Sequence, residues 1–175
     1  MKRVFSGEEH KSLLKGAVLQ FKLALAVSVQ AGDEDFSLPY LEHFTSGQHF
    51  RDYKELQLSK EQEKLAGSIL EHSATYILVL QIDKALQDTV PNRFKSPDPD
   101  IQAAAWIARL IRNAFAHNPL APIWNIQPEA QDRTFEVAKT SKLKTNGLDG
   151  QPVKSRDYGG PLALLTLTEF ILARI

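Results

Sequence analysis

From Leu13 through Leu14, Ala17, Val18, Phe21, Leu25 and Val29, apolar side chains recur at three- and four-residue steps, the spacing that lines one face of an α-helix. Ser6 followed by Glu9 has capping-box spacing, so a first helix is expected over roughly 8–30. Gly32, the acidic run Asp33-Glu34-Asp35 and Pro39 end it in a loop, and a solvated loop fits that run better than a metal site. Over 36–58 the aromatics Phe36, Tyr40, Phe44, Phe50 and Tyr53 are mixed with polar residues. An irregular connection is expected there, with one short helix near 48–55 and the aromatics covering the bundle. Ser59 and Gln62 repeat the capping-box spacing, and Leu65, Ile69, Ile77, Leu80 and Leu86 carry a helical stripe to about Asp88. At 1.5 Å per residue this second helix is about 45 Å long.

Pro91 and Ser96-Pro97-Asp98-Pro99-Asp100 break the pattern, and Asp98 before Pro99 supplies an N-cap and a first-turn proline for a third helix. It runs to His117, because Pro119 biases Asn118 away from helical backbone. Beyond it, 122–126 and 134–138 alternate in strand fashion, Asn146-Gly147 and Asp149-Gly150 are turn signals, and Val153 starts a further short strand. Gly159-Gly160-Pro161 leads into a last helix carried by Leu162, Leu165, Leu167, Phe170 and Ile171. The whole pattern predicts a mainly α fold in one domain, 1–175: a four-to-five-helix bundle with a small β-hairpin or three-stranded insertion, about 120–158, between the last two helices.

Composition narrows the function classes. Basic and acidic residues balance at 21 each, so any attraction for a nucleic acid has to be local. There is no cysteine, which excludes disulfides, thiolate zinc sites and thiol redox chemistry and suits a reducing compartment. The N-terminal residues lack a secretory signal, and Lys22 and Glu169 interrupt the two most apolar segments, so a cytoplasmic protein with no membrane association is expected. No cofactor or metal is called for. His43 and His49 have no carboxylate or histidine at i+4 to complete a metal pair, and His72, among polar neighbours, reads as an exposed helix residue.

One local excess of charge stands out. Residues 133–157 carry Arg133, Lys139, Lys142, Lys144, Lys154 and Arg156 against Glu136, Asp149 and Asp157, six minus three, or +3. A solvated ribbon and a phosphate-contacting one both fit that excess.

The stretch with the most chemistry is Ile111-Arg112-Asn113-Ala114-Phe115-Ala116-His117-Asn118-Pro119. Arg109, Asn113 and His117 are spaced four apart and form one row on the third helix, with Arg112 beside it. Arg112 and His117 themselves diverge by about 140° around the axis. Ala103, Ala104, Trp106, Ile107, Ala108, Leu110, Ile111, Ala114 and Phe115 make the rest apolar, so a narrow polar strip lies between two apolar surfaces. Such a strip belongs in a cleft or at an interface. Arg3 and His10 also stand near each other in sequence, but Val4 follows the arginine and a frayed terminus is expected there.

Arg112-Asn113-Ala114-Phe115-Ala116-His117 resembles the signature of the HEPN domains, helical bundles found in prokaryotic toxins, defence proteins and RNA-processing nucleases. That signature is an arginine and a histidine with four to six residues between, often with a polar residue directly after the arginine. The resemblance implies a metal-independent endoribonuclease acting as a homodimer, with a toxin-antitoxin or defence role and an antitoxin or regulatory protein as a further partner. RNA is cut by its own 2′-hydroxyl, which requires an acid/base group and positive charge around the phosphorane. His117 is the candidate acid/base, Arg112 the phosphate-binding fork, and Asn113 the residue that orients His117 or bonds the phosphate. Arg109 is an auxiliary phosphate contact, and Lys142, Lys144 and Lys154 would guide the strand. The alternatives are that Arg112, Asn113 and His117 cap the helix and pair across the bundle, or that the fold is a non-catalytic scaffold binding a nucleotide or a partner.

Overall fold

The computed structural model describes residues 5–36, 38 and 43–175. Among them are four α-helices: α1 (Gly7–Gly32), α2 (Lys60–Thr89), α3 (Pro99–Ala116) and α4 (Gly160–Leu172). Two antiparallel hairpins sit in the connections. β1 (His43–Ser46) pairs with β2 (His49–Asp52) between α1 and α2, and β3 (Thr134–Val137) pairs with β4 (Ser141–Lys144) between α3 and α4. The mainly helical architecture with a small sheet before the last helix is the one the hydrophobic pattern calls for.

Helix boundaries follow their caps. Ser6 and Ser59 each accept from the backbone of the residue three ahead, at 3.3 and 3.4 Å, and the Glu9 and Gln62 side chains reach back to the cap N–H groups at 2.8 Å. The Asp98 carboxylate receives the N–H groups of Asp100 and Ile101, and α3 ends with His117 as its C-cap.

Helices α1 and α2 run antiparallel. Ser28, late in α1, donates to Glu71, early in α2, at 2.8 Å, while His10 at the start of α1 meets Asp88 at the end of α2 at 3.1 Å. Close approach of the two backbones depends on Gly67, where a Cβ would lie 3.0 Å from the Ala31 Cβ and 3.1 Å from the Ser28 Cα. Helix α3 packs on another face of α2, with Phe115 edge-to-face on His72 at 5.8 Å, and is buried over most of its circumference from Ile101 to Phe115. Trp106 of α3 stacks on Phe135 of β3 at 5.7 Å, which fixes the ribbon against the helix.

Several expectations need correction. The short helix near 48–55 is instead the β1–β2 hairpin, followed by a 3₁₀ turn at Lys54–Leu56. Ser46 pairs with His49, leaving Gly47 and Gln48 as the turn, and Gly47 has the positive φ of 59° that such a turn demands. Phe50 does not cover the bundle: it is 62% exposed and stacks on His43. Tyr40 and Pro39, and the side chains of Phe44 and His49, lie outside the described residues, as does Arg3.

In the second insertion the strand partner of β3 is β4, whose Ser141 and Leu143 point inward. The 122–126 segment makes one isolated bridge, Ile123 to Pro152, together with backbone bonds from Trp124 to Gln151 and from Gly150 to Trp124. It is pinned rather than paired as a strand, and Val153 starts none; Trp124 is 1% exposed and donates to Asp157 at 2.9 Å. His72 is half-buried rather than exposed.

His10 does not sit at a frayed end. It is fully buried and bonded to Asp88, which also takes two contacts of 2.6 Å from the Lys84 ammonium. Burial pushes the Asp88 carboxyl up, but the hydrogen bonds and charges of Lys84 and His10 together outweigh it and hold the group below the usual carboxylate range.

Two outcomes follow from this packing. Gly67→Leu should destabilise the chain by about 1–3 kcal/mol through overpacking, more than the roughly 1 kcal/mol of helix propensity it gains, as read from urea unfolding by circular dichroism. A carboxyl held below its unfolded value adds stability above about pH 4 that is lost as pH falls through the folded value. Asp88→Asn should therefore lower the urea midpoint at pH 7, and the gap to the native chain should shrink as the pH is taken below about 4.

Candidate functional site

The C-terminal half of α3 emerges from the core with a polar edge. Ile111, Ala114 and Phe115 anchor it at 3% exposure or less, while Arg112 and Asn113 are half-buried and His117 is exposed. Arg112 leans along the helix to Asn113, donating from Nη2 at 2.5 Å and from Nε at 3.2 Å to the amide oxygen. Its Nη1 lies 3.2 Å from Asp83 of α2.

Asp83 organises this edge. It is 2% exposed, and it also accepts from Arg93 Nη2 at 3.1 Å. A buried carboxylate facing two guanidinium groups is strongly held, since its desolvation is offset only if such partners stay in place. Arg93 belongs to the 3₁₀ turn Arg93–Lys95 that links α2 to α3. The next residue, Phe94, has the Arg93 guanidinium over its ring at 4.6 Å and that of Arg109 at 4.9 Å. Three arginines thus gather round one carboxylate and one aromatic ring, and Arg109 has no carboxylate partner among the described residues; its Nε is buried without a hydrogen bond.

Arg112 keeps capacity for a ligand. Of the five N–H groups of a guanidinium, two go to Asn113 and one faces Asp83, which leaves two, and the side chain is 30% exposed. Asn113 spends its oxygen on Arg112 and retains its NH₂ group. His117 makes no hydrogen bond or ion pair with another described residue and borders a cavity of about 200 Å³. That cavity is lined by Ala114, Asn118, Ala121, Ile123, Trp124 and Asn125.

Arg112 and Asn113 are therefore in contact, and Arg109 joins them through Phe94 and Arg93. No contact ties His117 to Arg112. Their directions diverge as the helical spacing requires, and Asn113 lies between them on the surface.

The three lysines lie elsewhere. Lys142 pairs with its cross-strand neighbour Glu136 at 2.6 Å, so part of the local charge excess is neutralised. Lys142 and Lys144 line a depression of about 400 Å³ with Arg156, whereas Lys154 does not border it. Asp83, Arg93 and Phe94 were not among the residues singled out from sequence. Asp83 had a readable signal, a carboxylate between Ile82 and Ala85 inside an apolar stripe; Arg93 and Phe94, in a connection, had none.

No known family model matches the chain, and no curated protein or solved structure matches it.

Asp83→Ala should cost about 3–5 kcal/mol, because it leaves two guanidinium groups facing an unfilled, buried position. Arg112→Ala should cost distinctly less, since Arg93 still holds Asp83. Chemical denaturation of both variants beside the native chain measures the difference.

Proposed function

We propose that this chain is a metal-independent endoribonuclease of HEPN type, with Arg112, Asn113 and His117 as its working residues. The observation that carries the proposal is the combination at the end of α3: an exposed, unpartnered imidazole next to an Arg112–Asn113 pair that keeps free donors. His117 moves the proton of the attacking 2′-hydroxyl or of the departing 5′-oxygen. Arg112 and the Asn113 amide donate to the phosphorane oxygens, and Arg109 adds positive charge nearby. The P–O5′ bond breaks as the O2′–P bond forms, leaving a 2′,3′-cyclic phosphate and a 5′-hydroxyl.

Because Arg112 and His117 diverge in one chain, a second copy is the natural way to face one chain's arginine with the other's histidine, in keeping with the dimer that the resemblance implies. A second reading, a non-catalytic scaffold that binds a nucleotide or a partner, is favoured by the Arg112–Asp83 ion pair, which gives the arginine a structural occupation.

Incubation of single-stranded or loop-containing RNA with the purified chain in EDTA separates the two. The nuclease reading expects cyclic-phosphate ends, a loss of about 10²–10⁴-fold in rate for His117→Ala and about 10²–10³-fold for Arg112→Ala, with both variants folded. Cleavage at native rates by either folded variant sinks the assignment. Intact RNA that is nevertheless bound moves the chain to the scaffold reading.

A further inference from the structure

The outer face of α1 is apolar where a surface helix is normally polar. Leu19 is 70% exposed and Leu23 66%, and Gly16 and Ala26 stand exposed on either side of them. These four positions follow one another at three, four and three residues, so they form a continuous strip, facing away from the Leu14, Phe21 and Ala24 side that packs into the core.

The strip is symmetric about Phe21. Gly16 and Ala26 lie five residues to either side of it, and Leu19 and Leu23 lie two residues to either side. Small residues therefore stand at both ends and leucines at the centre. The exposed polar residues Ser12 and Gln30 close the strip at equal distance, and the exposed Leu13 and Val29 flank it, again equally spaced. A helix surface that reads the same in both directions is complementary to itself when a second copy lies antiparallel across a twofold axis. Each leucine of one pair then meets a leucine, and each small residue a small one, which lets the two backbones approach closely at either end of the strip.

Charged residues lie to one side of the strip. Lys15 and Lys22 of α1 and Glu169 of α4 line an otherwise apolar groove of about 280 Å³ with Leu165 and Leu172. None of the three is ion-paired with another described residue. A twofold axis through the centre of α1 sets this groove alongside its copy, so each Glu169 gains a lysine of the partner to meet. The strip itself runs about 15 Å from Gly16 to Ala26, and the exposed Leu13 and Val29 to either side, with the α4 leucines of the groove, extend the apolar area around it.

We infer that a second copy of this chain covers the face, in an antiparallel α1–α1 pairing centred on Phe21, with Leu19 against the partner's Leu23 and Gly16 against the partner's Ala26. The pairing stands apart from the nuclease reading. Helices α1 and α3 occupy different faces of α2, so it leaves each Arg112–Asn113–His117 edge open, and an active site shared between copies would use another contact.

Sedimentation across a concentration series tests it on the native chain, and the absence of cysteine makes a register test possible. The expected result is a dimer, weakened at least about tenfold by Leu19→Glu with Leu23→Glu, in a variant whose helical circular dichroism is unchanged. Under oxidation, Gly16→Cys and Ala26→Cys chains should yield a covalent dimer when mixed and none when kept separate. A chain that stays monomeric overturns the inference, as does a dimer indifferent to the double substitution or cross-linking within one single-cysteine variant. By length and composition α1 could also cross a membrane. A chain that is monomeric in buffer but floats with phosphatidylcholine vesicles would make lipid the occupant and equally overturn the pairing.

Discussion

Asp83 is a negative charge placed where it cannot be left alone. It sits between Ile82 and Ala85, on the buried side of α2, and its carboxylate is satisfied only by groups brought from two other segments of the chain. The turn after α2 has to close so that Arg93 arrives, and α3 has to return at the angle that brings Arg112 alongside. Hydrophobic burial would accept a range of α2–α3 crossings; a buried carboxylate with two directional partners accepts far fewer. The polar edge at the end of α3 is therefore set by an interaction inside the bundle, and Arg112 both holds the fold and faces outward.

Much of this was legible in the chain. Ser6 with Glu9, Ser59 with Gln62, and Asp98 with Pro99 mark their helix starts because capping is a local competition for a few backbone N–H groups, decided within four residues. Periodicity placed α3 and its polar strip for a similar reason. The β1–β2 hairpin was not legible, since His43 to Asp52 has no strict alternation of apolar and polar residues, and the decisive cue was one glycine at a two-residue turn. The partner of β3 was missed because Ser141-Lys142-Leu143-Lys144 alternates polar with charged around a single leucine.

The site shows the same division. Arg112, Asn113 and His117 could be placed on their helix from spacing alone. Which of them would touch could not, because the direction of the Arg112 guanidinium is shared between Asn113 beside it and Asp83 on another helix. His10 is the sharpest case. It extends the Leu14–Ala17–Phe21 stripe by one turn, but its burial depends on Asp88, a partner 78 residues away that no local pattern identifies.

The apolar strip on α1 has a colloidal consequence. The chain has no formal net charge at pH 7, so little long-range repulsion keeps two copies apart there. Contacts through that surface would be driven by removal of apolar area from water, which kosmotropic salts such as sulfate strengthen while they screen charge-driven association. Near neutrality the molecule combines a sticky stripe with almost no electrostatic brake, and moving the pH away from 7 in either direction restores one.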